Sequence, residues 1–245
     1  RKTVNGYKFL PDSRDQLVDR DGKTFVNLWE RPSWWDQEIS VDEDVVTVFQ
    51  TFLEHLIPDE RERAWFTMWL AAKTQKAWLP NCGVILVAER QGTGRGTLFD
   101  MLTGVFGRRH VKNVSAMQMF GGGGQSQYTD WIEQSLLVTC DEVLTGDDVG
   151  GAVAWKRREV YEKLKTLVDP RPRSLPIVRK GLPNDHADVF ASFLLATNNI
   201  NALPLSPDDR RIAVVTNTGT PLVERGDVLG MLEPWRTDVG FSEAF

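Results

Sequence analysis

Glu89-Arg90-Gln91-Gly92-Thr93-Gly94-Arg95-Gly96-Thr97 lies between the apolar run GVILVA (83–88) and the stretch TLFDMLTGVF (97–106). The segment reads as strand, glycine-rich turn, helix. A loop that cradles phosphates needs glycines, so that backbone N–H groups converge without Cβ clashes. It also needs a cation for the terminal oxygens, a hydroxyl for Mg²⁺ and a helix N-terminus whose dipole favours the anion. Gly92, Gly94 and Gly96 meet the first need, with Gln91 and Thr93 completing the turn. Arg95 offers the cation, Thr97 the hydroxyl and the following helix the dipole. The strict pattern G-x-x-x-x-G-K-[ST] is broken three times, by Glu89, Arg95 and Gly96. A glycine turn with no ligand has the same local composition, so the rest of the chain has to decide.

Downstream, short apolar runs alternate with helical patterns. Strands are predicted at Val84–Val87, Val111–Val114, Leu136–Thr139, Phe193–Ala196 and Ile212–Val215, and helices at Thr97–Phe106 and near Trp155–Leu167. Continuous apolar strands between helices imply a parallel sheet covered on both faces, with ligands at the carboxyl ends of the strands. Three strand ends carry polar groups that suit such a site. Ser135–Glu142 (SLLVTCDE) ends in Asp141, which could hold Mg²⁺, and Glu142, which could orient and deprotonate a water. Phe193–Asn199 (FLLATNN) ends in Asn198, an amide suited to a γ-phosphate or the lytic water. Asp208-Asp209-Arg210-Arg211 precedes the last strand, and arginine neutralises charge on a transferring phosphoryl group. Each also has a plain reading: a helix cap, a turn and a solvated strand entry. Gly121–Gly124 reads as a loop rather than a second phosphate site.

Upstream, the first forty-odd residues read as an extended lead-in with a short strand-like piece at Thr24–Trp29. Apolar residues from about Val41 to Leu56 recur at helical spacing. Pro58-Asp59 opens a second helix that buries Trp65, Phe66, Trp69 and Leu70. The chain of 245 residues is 41% hydrophobic and 26% charged, the composition of a soluble globular protein. No apolar run reaches the length of a membrane span, and the start RKTVNGYKFL has no signal-peptide pattern. The missing initiator Met reads as a piece of something longer. Cys82 and Cys140 read as buried thiols in a reducing cytoplasm, that of the host if the protein is phage-encoded. A net charge of −5 argues against coating nucleic acid with the whole surface, but leaves room for a local basic loop.

The loop GTGRGT (92–97), the acids in LLVTCDE (136–142), TNNINAL (197–203) and DDRRIAVV (208–215) together resemble the superfamily 3 helicases, specifically the primase-linked helicases of phages and plasmids. The lead-in VNLW (26–29) and the helix pair are also similar, so the likeness covers most of Thr24–Val215. The resemblance implies an α/β AAA+ core, a P-loop NTPase with a parallel sheet flanked by helices. Its extent is 81–216, after a lead-in and small helical N-terminal unit at 1–80 and before a C-terminal tail at 217–245. It implies ATP and Mg²⁺ as cofactors, with Asp141 and Glu142 as the metal-and-base pair, Asn198 as sensor and Arg210 or Arg211 as an arginine finger. It implies a homohexamer moving 3′ to 5′ on single-stranded DNA, with a fused or associated primase or polymerase domain. It also implies a hairpin within 170–189, whose tip at Arg179-Lys180-Gly181 touches the strand in the ring pore. Arg95 departs from the family's lysine. Its charge suits phosphate and its shape less so, which predicts slow hydrolysis that Arg95→Lys speeds up. Two other classes stay open: a nucleotide-dependent assembly module without turnover, and a small-molecule kinase suggested by Gly-Arg-Gly-Thr.

Overall fold

The computed structural model describes residues 3–32, 35, 43–120, 128–143, 151–169, 171, 173–199, 203–206 and 208–237, with side chains for all but 151–156 and 235–237. The glycine run at 121–124, residues 200–202 of TNNINAL and the last residues of the expected tail lie outside these.

The lead-in is a sheet. Strands β1 (Val4–Lys8), β2 (Leu17–Arg20) and β3 (Lys23–Asn27) lie in the order β1-β3-β2, with β1 parallel and β2 antiparallel to β3. Asp21-Gly22 makes the β2–β3 turn with φ of +52° and +74°. A two-residue hairpin turn of type I′ has positive φ at both central positions, a backbone whose twist matches that of the flanking strands. The Asp-Gly pair is thus the missed signal. Asn27, buried at the end of β3, accepts from the N–H of Leu10 and of Trp29 and donates to the carbonyl of Leu10, which folds the lead-in back on itself.

Two helices follow, α1 (Glu43–Leu56) and α2 (Glu60–Gln75). Asp59 caps α2 by accepting from Glu62 N–H at 2.8 Å, which satisfies one of the orphan donors of the first turn. Phe52, Leu53 and Leu56 of α1, and Phe66, Trp69 and Leu70 of α2, enter the core, while Trp65 is half-buried against it.

The main sheet is all parallel. Its strands are β4 (Gly83–Val87), β5 (Val111–Asn113), β6 (Leu137–Cys140), β9 (Ser192–Thr197) and β10 (Ile212–Thr216), in the order β10-β4-β9-β6-β5. Every residue of β4, β6 and β9 is buried, as expected where helices cover both faces. On one face Val84, Leu86, Leu194 and Val215 meet α1, α2 and α3 (Arg95–Phe106). On the other, Ile85, Phe193 and Leu195 meet α5 (Gly151–Leu167), which follows the short α4 (Ala116–Phe120). Strands β7 (Arg173–Ile177) and β8 (Asp185–Val189) form an antiparallel hairpin whose Ile177 and Val189 reach that second core. The hairpin lies within 170–189, where the resemblance implied one.

The segment read as a tail contributes to the first core. A 3-10 turn at Leu222–Glu224 leads into α6 (Gly226–Thr237), and Leu222, Val228 and Leu232 pack with α1. Burial pushes the Cys140 thiol up to about 12 and raises Cys82, which is half-buried; both are free thiols. Among the described residues no helix is long and apolar enough to cross a membrane.

Lys73 is fully buried, and its ammonium donates to the carbonyls of Ala77 (2.7 Å), Leu79 (3.1 Å) and Phe190 (2.6 Å). It therefore pins the α2–β4 connection to the turn between β8 and β9. Burial lowers its pKa to about 7. The unfolded chain then holds one proton more than the folded one between about pH 7 and the ordinary lysine value of ~10.4, so stability from this group rises with pH across that window. Lys73→Met keeps the apolar stem and leaves three buried carbonyls without a donor. Urea denaturation is expected to show a loss of about 3 kcal/mol at pH 7, and a smaller pH dependence between 7 and 10 than wild type. Equal stability and equal slope would mean that the ammonium holds nothing in place.

Candidate functional site

The glycine loop leaves the carboxyl end of β4 and enters α3 through two left-handed residues. Gly92 has φ +74°, and Gly94, the N-cap of α3, has φ +106°. A Cβ on Gly94 would lie 3.0 Å from the Phe52 ring, so glycine is required there for backbone and for space. A Cβ on Gly96 would meet nothing within 4 Å, so the first turn of α3 is open beside it. Gln91, Gly92 and Gly96 are exposed, Thr97 is half-buried, and Thr93 is buried with its hydroxyl unpartnered. The loop is held from two sides. The Thr93 carbonyl accepts from His55 Nε2 of α1 at 3.2 Å, which requires the Nε2–H tautomer. The Gly92 carbonyl accepts from Leu222 N–H at 2.8 Å, and Arg90 pairs with Glu224.

Strand β9 lies between β4 and β6, so its end carries Asn198 to a point between the loop and the acid pair. The Glu142 carboxylate accepts from Thr197 Oγ1 (3.0 Å), Asn198 N–H (3.3 Å) and Asn198 Nδ2 (2.7 Å). Arg95 closes the circuit from the other side. Its Nη1 donates to the Thr197 carbonyl at 2.8 Å and its Nη2 to Asn198 Oδ1 at 2.5 Å. Burial lowers the pKa of this guanidinium, and the charges of Glu142 and Asp141 oppose that. Arginine remains protonated throughout. Each Nη thus reaches its own acceptor, a parallel pair of bonds that the planar guanidinium fork provides. Asp141 is exposed at the end of β6, and Asn113 at the end of β5 donates to its Oδ2 at 2.9 Å. Asn113, His55 and Leu222 went unread in the sequence. Asn113 had a signal, a polar residue at a strand end, and the other two act through backbone contacts that leave none.

Arg210 and Arg211 are not in this group. They precede β10, at the end of the sheet opposite the loop, and a five-residue strand separates the two ends by about 17 Å. Asp209 holds the strand entry by accepting from Arg211 N–H and Ile212 N–H. Neither guanidinium is hydrogen-bonded or ion-paired among the described residues.

At the hairpin, the structure separates the two residues that the sequence put together at the tip. Gly181 has φ +73° and Lys180 is exposed. Arg179 is half-buried and bidentate to Glu133, with Nε at 3.1 Å and Nη2 at 2.8 Å. It anchors the hairpin rather than extending from it. Asp185 and Asp188 are exposed on β8, so the free positive charge of the tip is Lys180.

The architecture is a mixed α/β fold, a parallel five-stranded sheet with helices on both faces and polar residues gathered at its carboxyl ends, and it is compatible with nucleotide binding. The sequence pattern of a family of unknown function, DUF5906, matches residues 86–211, and the chain belongs to that family. It is 24% identical over 232 residues to the DNA primase-polymerase of Nitratiruptor phage NrS-1, covering 92% of this chain and 28% of that protein. Two solved structures of the NrS-1 C-terminal region share the fold. An apo structure has a TM-score of 0.73 at 21% identity, over 98% of this chain and 54% of that one. An A-form apo structure has a TM-score of 0.71 at 20% identity, over 94% and 52%. The chain thus spans about half of the solved relatives and little more than a quarter of the curated one.

The separation at the hairpin has a direct consequence. Arg179→Ala is expected to lower the melting temperature by a few degrees, since it removes a bidentate, half-buried ion pair. Lys180→Ala is expected to leave it unchanged. Differential scanning calorimetry of both variants checks this, and equal melting temperatures would show that the Glu133 pair does not hold the hairpin.

Proposed function

We propose that this chain is the nucleotide-hydrolysing unit of a phage or plasmid replication protein, a P-loop NTPase of AAA+ type that drives single-stranded DNA through a ring of subunits. The observation that carries the reading is the circuit at the sheet's carboxyl end. A glycine loop entering a helix faces two acids across one intervening strand, and that strand ends in an amide bonded to both the loop's cation and the second acid. Loop glycines and the start of α3 would take the phosphates, with Gln91 to Thr97 lining them. Glu142 is the group able to accept a proton from water, and Asn198 aims its carboxylate. Asp141 and Thr97 fit Mg²⁺ in the usual manner of one carboxylate and one hydroxyl beside phosphates, because the second Asp141 oxygen carries no hydrogen bond among the described residues. Such an ion supplies charge neutralisation on the terminal phosphates when bound. ATP is the cofactor proposed.

Arg210 and Arg211 lie at the far end of their own sheet, so any role on a γ-phosphate is served in a neighbouring subunit. That supports a ring, proposed as a homohexamer, with Lys180 of each hairpin meeting the strand. The similarity to a primase-polymerase supports a place beside such a domain in DNA replication. A second reading is favoured by one observation, the engagement of Arg95 with Thr197 and Asn198. In it the protein binds nucleotide for assembly without turnover.

Steady-state ATPase assays with and without single-stranded DNA separate the two. Wild type is expected to turn over and to be stimulated by DNA. Glu142→Gln is expected to retain nucleotide binding and lose ~10²–10⁴-fold in rate. Binding with no turnover in wild type would establish the assembly reading.

The circuit makes a second expectation. Arg95→Lys loses one of two charge-assisted bonds, and turnover should fall about tenfold rather than rise. Asn198→Ala removes the same link from its other end, so the double variant should be no worse than the poorer single one. Additive losses in that cycle would mean that Arg95 and Asn198 act independently.

A further inference from the structure

We propose that Asn217, with Thr93 beside it, is the base-recognition end of the nucleotide site and selects adenine over guanine. The inference rests on the nucleotide reading above and adds what that reading leaves open, the part of the site that meets the base.

Asn217 directly follows β10. Its N–H donates to the carbonyl of Val87 at 2.7 Å, so it lies beside the point where β4 runs into the glycine loop. Its side chain is 6% exposed, yet neither the amide nitrogen nor the amide oxygen has a hydrogen-bond partner. Thr93 is 1% exposed, and its hydroxyl is likewise without one. Both belong to one neighbourhood. The Thr93 carbonyl accepts from His55, while Thr218, next to Asn217, donates its N–H to the carbonyl of Leu56 at 3.0 Å. His55 and Leu56 are consecutive in the last turn of α1. Strand alternation puts Asn217 on the same face as Val215, the face that packs on α1.

Buried polar groups are almost always hydrogen-bonded in native proteins, and each exception asks for a cause. Three unsatisfied atoms, on two residues tied through the backbone to the same turn of α1 and lying beside the glycine loop, mark bonds that come from a ligand. The sheet order gives the direction. Strand β4 has β9 on one side and β10 on the other. The β9 side is taken by Asn198, Glu142 and Asp141, the groups suited to the reacting end of a triphosphate. The nucleoside end of a molecule lying across the loop therefore extends toward β10, which ends in Asn217. Pro221 and Leu222 wall that side, with the Leu222 N–H on the Gly92 carbonyl.

The chemistry of the amide then names the base. A carboxamide offers a donor and an acceptor side by side, which match N7 and the N6 amino group of adenine. Guanine presents two acceptors, N7 and O6, on the same edge, and would leave the amide oxygen facing another oxygen.

The test is isothermal titration calorimetry of the full-length protein with Mg-ATP, Mg-GTP and inorganic tripolyphosphate, beside ligand-free melting temperatures. Wild type is expected to bind ATP at least about tenfold more tightly than GTP. Asn217→Ala should weaken ATP to the level of GTP, leave tripolyphosphate unchanged, and leave the ligand-free melting temperature equal or higher, because it removes an unsatisfied group. Asn217→Leu, of similar volume and apolar, carries the same expectation should the alanine variant fold poorly. A lower ligand-free melting temperature with equal losses for ATP and tripolyphosphate would make Asn217 a structural residue and overturn the proposal. So would an unchanged ATP to GTP ratio in either variant. Tripolyphosphate binding with no ATP preference in wild type overturns this inference alone, whereas wild type binding none of the three removes the nucleotide reading and this inference with it.

Discussion

The pairing of β9 between β4 and β6 is the constraint on which the carboxyl end of the sheet depends. Its register sets Thr197 beside Val87 on one side and Leu195 beside Cys140 on the other. The loop that leaves β4 and the acids that follow β6 therefore converge on the same two residues, Thr197 and Asn198. The Val143 N–H to Ala196 carbonyl bond continues that alignment past the acids. A slip of one residue in β9 would turn Phe193 and Leu195 toward the wrong core and carry Asn198 away from both partners. Burial on both faces makes such a slip costly, so the packing of apolar side chains holds the positions of polar ones.

The glycine loop is held from outside the sheet as well. Phe52 and His55 of α1 press against Gly94 and Thr93, and Leu222 takes the Gly92 carbonyl. The helical unit before the sheet and the segment after it are therefore parts of the site rather than appendages. A change in the loop has to be answered by α1 and by the turn that leads into α6. Lys73 performs the equivalent service at the start of β4, where three carbonyls meet one ammonium.

Electrostatics at the site are local. The chain carries a net charge of −5, and the loop itself offers an anion the buried Arg95 and the dipole of α3. Arg95 spends its donors on Thr197 and Asn198, where a lysine would present a single point of charge. The cation of the loop is thereby tied to the orientation of the Glu142 carboxylate, two groups that the sequence shows only in separate motifs.

Much of this was legible in the order of residues. Apolar runs such as GVILV and SFLLA, too short for helices and bounded by turns, could only be strands covered on both faces, and the helices between them made those strands parallel. The loop, the acids and the amide each follow such a strand, so their shared location at one end of a sheet could be deduced. Asp21-Gly22 was equally local, since positive φ at two successive positions is a demand the turn itself makes. What tertiary structure alone decided is which side chains meet. Strand order put Asn198 between Arg95 and Glu142, a chain reversal put Glu133 against Arg179, and the return of residues 217–222 buried Asn217 beside the loop. Local sequence specifies backbone preference and which face is apolar. Contacts between residues tens to more than a hundred positions apart depend on how those faces stack, and no local preference encodes that.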